Sequence, residues 1–320
     1  MSREMQEIER ILRQGAMSTA TTEQIIQIEI NEWKTSEKRQ WMLAGEQYYR
    51  NKTDVLKRER TAIGTNGCKE IVGNLANNKL VNGFIRKLVD QKVGYLLSKP
   101  LSILSDNENY QKELSQRFDK SMLRMLQNIG KESINKGIAW LHVFYDEIGQ
   151  LSFKKIPSEE IIPLWRDAGH TELDALIRTY KIEVYEGLER KNVTKIEWWD
   201  TNGVRRYVMQ DGLIPDVEAG DDSSHFLATG PNGEEQHFNW NRVPFIAFKY
   251  NEEEQPLVEL IKSLIDDYDN RKSDNTNNLE DLPNSIYVVK GFGDRKLEKS
   301  EKIFLPIALS RLMTLMVTLV

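Results

Sequence analysis

The chain has 320 residues, of which 39% are hydrophobic and 29% charged, and its 44 Lys and Arg against 49 Asp and Glu give a formal net charge of -5. This length suits two or three domains, or one core domain with extensions, in a soluble chain. The acidic balance argues against a general duplex-binding protein, which would present a basic face to phosphates. The single cysteine, Cys68, excludes an intrachain disulfide and indicates a reducing compartment.

The first 137 residues are predicted to be mainly helical. The N-terminal MSREMQEIERILRQG is charged throughout and is not a signal peptide. EQIIQIEINEWKTSEKRQWMLAGEQYYR predicts one helix or two, whereas GTNGCKEIVGN predicts a loop.

A further helix is predicted from Asp119 to Gly137, a C-cap residue, and LSILSDNENY before it predicts an extended or turn segment. In NKLVNGFIRKLVDQKVGYLLSKP, apolar spacing predicts a helix that ends at Pro100, with one face made of Val81, Phe84, Ile85, Leu88, Val89, Val93 and Leu96.

From residue 138 to about residue 250 the apolar period changes from helical to alternating. IAWLHVFYDE, QLSFKKI, ALIRTYKIEVY, TKIEWWD, VRRYVMQ and PFIAFKY are rich in aromatic and β-branched residues, which favour strands. Turn sequences separate them, and DTNG between TKIEWWD and VRRYVMQ predicts a hairpin. A helical part followed by an antiparallel or mixed sheet is the α+β class.

A long helix is predicted after NEEEQP, residues 251–256, because acidic residues and Pro256 favour a helix start. Its first half is amphipathic, but no apolar residue occurs between Tyr268 and Leu279, and no proline interrupts until Pro283. A helix that is polar on all sides connects two domains through solvent, lines a water-filled space, or is not a stable helix. The apolar face of its first half consists of Leu257, Leu260, Ile261, Leu264, Ile265 and Tyr268.

The last residues differ in composition. SIYVVKG predicts a short strand, and GFGDRKLEKSEK predicts a charged turn or helix start. IFLPIALSRLMTLMVTLV, residues 303–320, would nearly reach across a bilayer, but Pro306 and Arg311 oppose insertion, an arginine costing roughly 2.5–3.5 kcal/mol. The segment is therefore a buried element or a sequence foreign to the fold, with a membrane anchor as the alternative.

The sequence contains no recognisable catalytic or metal-binding set. His142, His170, His225 and His237 are scattered, and one cysteine cannot complete a zinc site. GTNGCKE lacks the spacing of a phosphate loop, and GFGDRK lacks the third glycine of a dinucleotide fingerprint. We therefore predict no enzyme activity, no cofactor and no metal. An enzyme of unrecognised type remains a disfavoured alternative.

Three stretches, in this order, resemble the portal proteins of tailed bacteriophages of the SPP1 type. They are KLVDQKVGYLLSKPLSI (87–103), NWNRVPFIAFKYNEEEQP (239–256) and LVELIKSLIDDYDNRKSDNTNNLEDLPNSIYVVKG (257–291). The likeness covers roughly residues 20–300, and its specificity comes from the combined order. The resemblance implies a wing domain at 1–252, with helices in 1–137 and the sheet in 138–250. It further implies a stem helix at 253–283 and the start of a clip domain at 284–302.

The resemblance also implies a function. Portal proteins of this family form a ring, expected to have twelve subunits, at one capsid vertex, and double-stranded DNA passes through it during packaging and ejection without sequence-specific binding. The implied partners are further copies of the chain, the terminase large subunit, the major capsid protein and a head–tail adaptor. The implied location is the virion, with the host cytoplasm during assembly, and no membrane is expected. The ring itself has no catalytic activity.

A single subunit is expected to offer the helix after Tyr268 nothing to bury, so in such a ring this polar half of the stem helix would meet neighbouring copies and a wet tunnel. Acidic side chains there would repel phosphates and let DNA slide, whereas rings of Lys or Arg would hold it. The alternative for each side chain is a solvated surface without a role. The candidate channel-lining or inter-subunit residues are Asp266, Asp267, Asp269, Arg271, Lys272 and Asp274.

The chain also departs from the family pattern. A second stem helix, a tunnel loop and a crown are missing after about Lys302, and residues 303–320 match nothing expected of the family. We expect a truncated or frame-shifted prophage gene, with 303–320 read in another frame, and hence a defective copy. The alternative function is a membrane-tethered interaction protein that uses 303–320 as its anchor.

Overall fold

The computed structural model describes residues 21–64, 67–73, 75–99, 104–186, 189–210, 212–229 and 234–281. The predicted clip segment (284–302) and the apolar segment (303–320) lie outside these residues, as do residues 1–20. In the described part, no helix combines the length and the apolar character needed to cross a bilayer.

Helices and antiparallel sheets are both present, so the α+β prediction is confirmed. The helices are α1 (Thr22–Thr35), α2 (Glu37–Tyr49), α3 (Phe84–Leu97), α4 (Glu108–Arg117), α5 (Lys120–Lys136) and α6 (Leu257–Asp281). The strands are β1 (Thr61–Ile63), β2 (Lys69–Ile71), β3 (Ile138–Tyr145), β4 (Leu151–Ile156), β5 (Ile161–Trp165), β6 (Leu173–Glu186), β7 (Glu189–Asp200), β8 (Gly203–Met209), β9 (Leu213–Pro215), β10 (Asp222–Ser223), β11 (Phe226–Thr229), β12 (Glu235–Phe238) and β13 (Phe245–Lys249).

The chain divides into two compact units. The first consists of residues 1–50 and 85–260, and the second of residues 51–84 and 261–320. Residues 51–84, which we expected in the wing, thus group with most of α6. Each unit is described separately below.

Local sequence signals fix the helices of the first unit. Thr21 caps α1 in a capping box with Gln24, and the Asp119 carboxylate accepts hydrogen bonds from the first turn of α5. Gly137 ends α5 at φ 83, and a Cβ there would lie 1.9 Å from the Glu254 carbonyl oxygen. Only glycine fits this position, so the predicted start and C-cap of α5 are confirmed.

Three sheets form the β part of the first unit. The largest has the order β10-β8-β7-β6-β5, with β9 added to β8, and all its pairs are antiparallel. A second sheet has the order β13-β3-β4, and β11 pairs with β12. The predicted hairpin at DTNG joins β7 to β8, where Asp200 pairs with Gly203.

The core of the first unit lies where α1 and α2 meet strands of the two larger sheets. Ile26, Ile30 and Met42 from the helices are almost fully buried, together with Trp140 of β3 and Leu176 of β6. Burial of each such side chain contributes about 1.5–3 kcal/mol. Helix α5 packs on the other side of β3, where Ile129, Ala139 and Leu141 form a second, smaller apolar cluster.

Two buried carboxylates of the first unit bind several cations each. Glu132 of α5 contacts Lys155 and, at 3.1 Å, Lys136. Burial alone would raise the pKa of Glu132, but the charges of Lys136 and Lys155 hold that pKa below its ordinary value. Glu254 contacts Lys38, and its Oε1 lies 2.8 Å from His170 Nδ1.

Three expectations for local structure need correction. Glu254 was expected to favour the helix start through the helix dipole, but it is buried at φ 56 in this ion cluster. The helix predicted within residues 78–100 begins only at Phe84, and residues 78–83 have no regular secondary structure. GTNGCKEIVGN was expected to be a loop, but part of it forms the β1–β2 hairpin. Helix α4 was not predicted, and it has no buried side chain that its apolar pattern could have indicated.

The second unit is small in its described part. It contains the β1–β2 hairpin, a 3-10 turn at Asp54–Lys57, the segment 75–83, and α6 from Ile261 onward. Its buried apolar side chains are Val55, Leu75 and Ile265, so hydrophobic burial alone is a small part of its cohesion. The other contacts that hold this unit together are polar, and they centre on the far half of α6.

Candidate functional site

The polar half of α6 buries one face within the second unit. Ile265 is followed at four-residue intervals by Asp269, Ser273 and Asn277, which are 0%, 1% and 3% exposed. The next residue at this spacing, Asp281, is half-buried. Residues four apart lie on one side of a helix, so the buried stripe continues as a polar one after the apolar stripe ends.

This stripe binds the backbone of an extended segment, residues 76–82, of the same unit. Every second N–H of the segment donates to a side chain of α6, and we call this set of four bonds the polar ladder. The Ala76 N–H donates to Asp281 Oδ1 (3.1 Å), and the Asn78 N–H donates to Asn277 Oδ1 (2.6 Å). The Leu80 N–H donates to Ser273 Oγ (2.9 Å), and the Asn82 N–H donates to Asp269 Oδ1 (3.2 Å).

The ladder is possible because two structural periods match. Four helical residues rise about 6 Å, and two extended residues span about 6.6 Å. The residue numbers increase along the segment and decrease along the helix, so the two run antiparallel. Each polar side chain therefore meets the next available N–H in register, and partly buried backbone donors gain a partner.

Asp269 is the most heavily bonded member of the ladder. Besides the Asn82 N–H, its carboxylate accepts hydrogen bonds from Asn82 Nδ2 (2.9 Å) and from Thr53 Oγ1 (3.0 Å). Burial of a carboxylate is expensive unless hydrogen bonds replace its water. The three donors do so here and tie two parts of the 51–84 segment to one turn of α6.

Ion pairs flank the ladder. Arg58 binds Asp274 at 2.5 Å, and Arg60 binds Asp281 at 2.8 Å. Near the start of this half of the helix, Lys262 binds Asp54 at 2.6 Å. These pairs are partly exposed, so each contributes about 0–1 kcal/mol, and they add less than the buried bonds.

The structure places the six predicted site residues in different environments. Asp267 and Arg271 form an exposed pair at 2.8 Å, and Lys272 lies over the ring of Tyr268 at 5.7 Å. Asp266 binds Lys262 at 2.6 Å, and Asp274 binds Arg58. Asp269 alone is fully buried. The suggested roles of these residues towards a tunnel or a neighbour stay predictions.

One premise of those roles is corrected. We expected a single subunit to offer the helix after Tyr268 nothing to bury, but the segment 76–82 covers it through hydrogen bonds. Ser273, Asn277 and Asp281 were not predicted as buried contacts, because they do not belong to an apolar stripe. Their signal was a four-residue spacing of small polar side chains that continues the spacing of Leu257, Ile261 and Ile265.

The far half of α6 is thus a polar helix with one face covered by its own chain and another face exposed. Among the described residues, no three His, Cys, Asp or Glu side chains come together as a metal site. The ladder atoms are engaged in hydrogen bonds, and the arrangement serves to hold a helix and an extended segment in fixed register.

Comparison with known proteins decides the family. Residues 30–312 match the family model described as phage portal protein, SPP1 Gp6-like. The chain belongs to this portal protein family. Its relatives include the portal protein of Bacillus phage SPP1, 29% identical over 254 residues, which are 78% of this chain and 49% of the relative. The portal protein of Clostridium phage phiCD119 is 29% identical over 267 residues, 80% of this chain and 56% of that protein.

The matches also set the extent of the likeness. The chain spans about half the length of the curated portal proteins that it matches. The family match ends at residue 312, so it includes the first ten residues of the apolar segment 303–320 that we expected to fall outside the family. Both segments of the second unit, 51–84 and 261–281, lie within the matched range.

Proposed function

We propose that this chain is a subunit of a portal ring at one vertex of a phage capsid, through which double-stranded DNA is packaged and ejected. The family match over residues 30–312 is the observation that carries the proposal. The subunit acts as a structural conduit without catalysis of its own. Because the ring itself does no chemistry, DNA transit needs a water-filled path through the ring and a separate motor.

The exposed face of α6 supports a role in assembly or transit. This face combines apolar and charged groups: Leu264 is 69% exposed and Leu279 60%, and the Asp267–Arg271 pair lies on the same side of the helix. Because the ladder fixes the opposite face, α6 can present this side to neighbouring copies and to a tunnel. The apolar groups suit contact with another copy, and the charged groups suit a wet bore.

The proposal extends to partners and location. The ring is expected to have twelve subunits and to bind the terminase large subunit, the major capsid protein and a head–tail adaptor. It contacts double-stranded DNA in transit through the backbone, without reading its sequence. The subunit resides in the virion after assembly in the host cytoplasm.

Electron microscopy of the purified chain tests ring formation. Rings with a central hole are the expected result, and a uniformly monomeric preparation at high concentration would overturn the proposal for this chain.

Charge reversal tests the tunnel role. The variants Asp267→Lys, Arg271→Glu and Lys272→Glu change exposed groups, so their folding should be preserved. DNA packaging into capsids should change in at least one of them, in a salt-dependent way. The double variant Asp267→Arg/Arg271→Asp is the control, since it keeps the local pair and the net charge. Unchanged packaging in all single variants would reject a role for these side chains.

A further inference from the structure

The first unit contains a cleft beside an unpaired strand edge. Its volume is about 1030 Å3, and it is lined by β13 and by the connection between β5 and β6. β13 is the edge strand of its sheet, with β3 on one side and no described strand on the other. Aromatic and apolar side chains, including Trp165, Trp240 and Ile246, line the cleft together with charged ones such as Arg166 and Glu172.

The backbone of β13 is oriented towards this open side. Hydrogen bonds to the neighbouring β3 segment are made by the Pro244 carbonyl and by the Tyr250 N–H. Bonding alternates along an antiparallel strand, so the N–H and C=O groups of Ala247 and Lys249 point away from β3. An edge of this kind accepts an added strand, whose backbone supplies the bonds and whose side chains fill the adjoining cleft.

The same unit carries a β ribbon that extends past its sheet. β5 pairs with β6 only as far as Arg178, and β8 pairs with β7 only from Thr194 onward. Residues 182–186 and 189–193, which we call the arm, are therefore paired only with each other among the described strands. An isolated two-stranded ribbon is marginally stable in water.

The arm also exposes apolar surface. Val184 is 40% exposed and Tyr185 71% exposed, and both belong to the β6 strand of the arm. Among the described strands, none pairs with the outer edge of β6 from Thr179 to Glu186. It thus offers both an unpaired backbone and apolar side chains, which are the two features that the cleft beside β13 accommodates.

The arm and the cleft lie at opposite ends of β6. Leu173, the first residue of β6, lines the cleft, whereas Tyr185 is twelve residues further along the same strand, or about 40 Å away. The two surfaces of one subunit therefore cannot meet each other. A contact between different patches of identical copies is head-to-tail, and such contacts form a ring when the rotation between successive copies closes.

We propose that the β6 edge of the arm of one copy docks in the cleft of the next copy and adds a strand to β13. This inference rests on the proposed function, because it assumes that copies associate as a ring. It assigns the arm and the cleft as the two halves of one inter-subunit contact. Val184 and Tyr185 contact the apolar lining of the cleft, and the backbone of the arm bonds to Ala247 and Lys249.

Disulfide trapping between two single-cysteine variants tests the contact. Both are made in the Cys68→Ser background, one with Tyr185→Cys in the arm and the other with Ile246→Cys in the cleft. One carries a size tag, and the two are mixed and oxidised. Several-fold more mixed cross-link is expected than with Ile148→Cys, an exposed site outside the cleft that serves as the control. Electron microscopy of the same samples reports whether rings form.

Each outcome decides the proposal. A dominant mixed product supports it. A dominant product between two Tyr185→Cys copies would show that arms pair with arms and would overturn it. Rings without the mixed product would also overturn it while the proposed portal ring stands, whereas a monomeric sample would contradict both.

A proline variant separates strand addition from simple proximity. Ala247→Pro removes an N–H that points into the cleft and that β3 does not use, so the sheet should keep its thermal midpoint. The mixed cross-link should fall several-fold. A stable variant with undiminished cross-linking would show that β13 gains no added strand.

Discussion

At the scale of single residues, Asp269 shows how a charged side chain can be structural on a helix that was expected to face water. It is 0% exposed and accepts three hydrogen bonds from Asn82 and Thr53. Its loss leaves the buried Thr53 hydroxyl and the partly buried Asn82 N–H without this acceptor. Removal of one partner of a buried, charge-assisted hydrogen bond costs more than the bond itself contributes.

We predict that Asp269→Leu lowers the free energy of unfolding of the second unit by about 2–4 kcal/mol. Asp267→Leu is the matched control, because the same substitution two residues away breaks only an exposed ion pair. Its effect should be within about 1 kcal/mol. Urea titrations followed by hydrogen exchange at residues 265–281 measure both values. Equal effects of the two substitutions would contradict the buried role of Asp269.

His142 illustrates a different effect of burial. Its ring stacks on Phe245 at 4.5 Å and lies 4.9 Å from Trp199. Burial, with smaller effects from Arg178, Lys154 and His225, lowers the pKa of His142 from 6.5 to about 4. The folded first unit therefore favours the neutral ring.

The stability of the first unit should consequently depend on acid pH. Between pH 6.5 and 4 the unfolded chain binds a proton at His142 that the folded chain does not. The contribution of His142 to the free energy of unfolding is complete above pH 6.5. It decreases by at most about 3 kcal/mol as the pH falls towards 4. His142→Phe keeps the stacking and should flatten that part of the slope in urea midpoints measured from pH 7 to 4.5. An unchanged slope would exclude His142 as its source.

At the scale of secondary-structure elements, the polar ladder joins a helix and an extended segment that are far apart in sequence. Only alternate N–H groups of the segment take part, so neighbouring positions differ in their role. The Leu80 N–H donates to Ser273, whereas no hydrogen bond from the Val81 N–H is seen among the described residues.

Proline scanning of the segment tests this alternation. Leu80→Pro removes a ladder bond and should raise amide exchange around residues 269–277 by roughly five- to thirtyfold, corresponding to about 1–2 kcal/mol. Val81→Pro keeps every ladder bond and should change exchange much less, since proline suits extended backbone. A larger effect at Val81 than at Leu80 would show that the ladder does not hold the segment.

The elements that were predicted well share a local signal. The N-cap Asp119 and the C-cap Gly137 bracket α5, and alternating apolar residues mark strands such as β3 and β6. The sequence carries a signal for only one side of the ladder, the four-residue spacing of polar side chains on α6, because the donors are backbone groups whose positions depend on where residues 76–82 meet α6. Asp266, Asp267 and Arg271 were singled out by charge, whereas the buried contacts are made by Ser273 and Asn277, which charge could not indicate.

At the scale of the whole molecule, the two units differ in what holds them together. The first unit buries a large apolar cluster that contains Trp140, Leu176 and Ile196. The second buries Val55, Leu75 and Ile265 in its described part and relies on side-chain-to-backbone hydrogen bonds and ion pairs. A net hydrogen bond contributes only about 0.5–1.5 kcal/mol, so a unit with a polar interior has a smaller reserve of stability.

We therefore predict that unfolding of the whole chain is not two-state. In native-state hydrogen exchange at increasing urea, amides of residues 269–281 should exchange through an opening of lower free energy than amides of β6 and β7. Added salt should lower that opening energy further, since it screens exposed pairs such as Arg58–Asp274 and hardly affects the apolar core of the first unit. A single opening energy shared by both sets of amides would show that the polar ladder and the apolar core unfold together. In that case the cohesion of the second unit could not be attributed to its own hydrogen bonds.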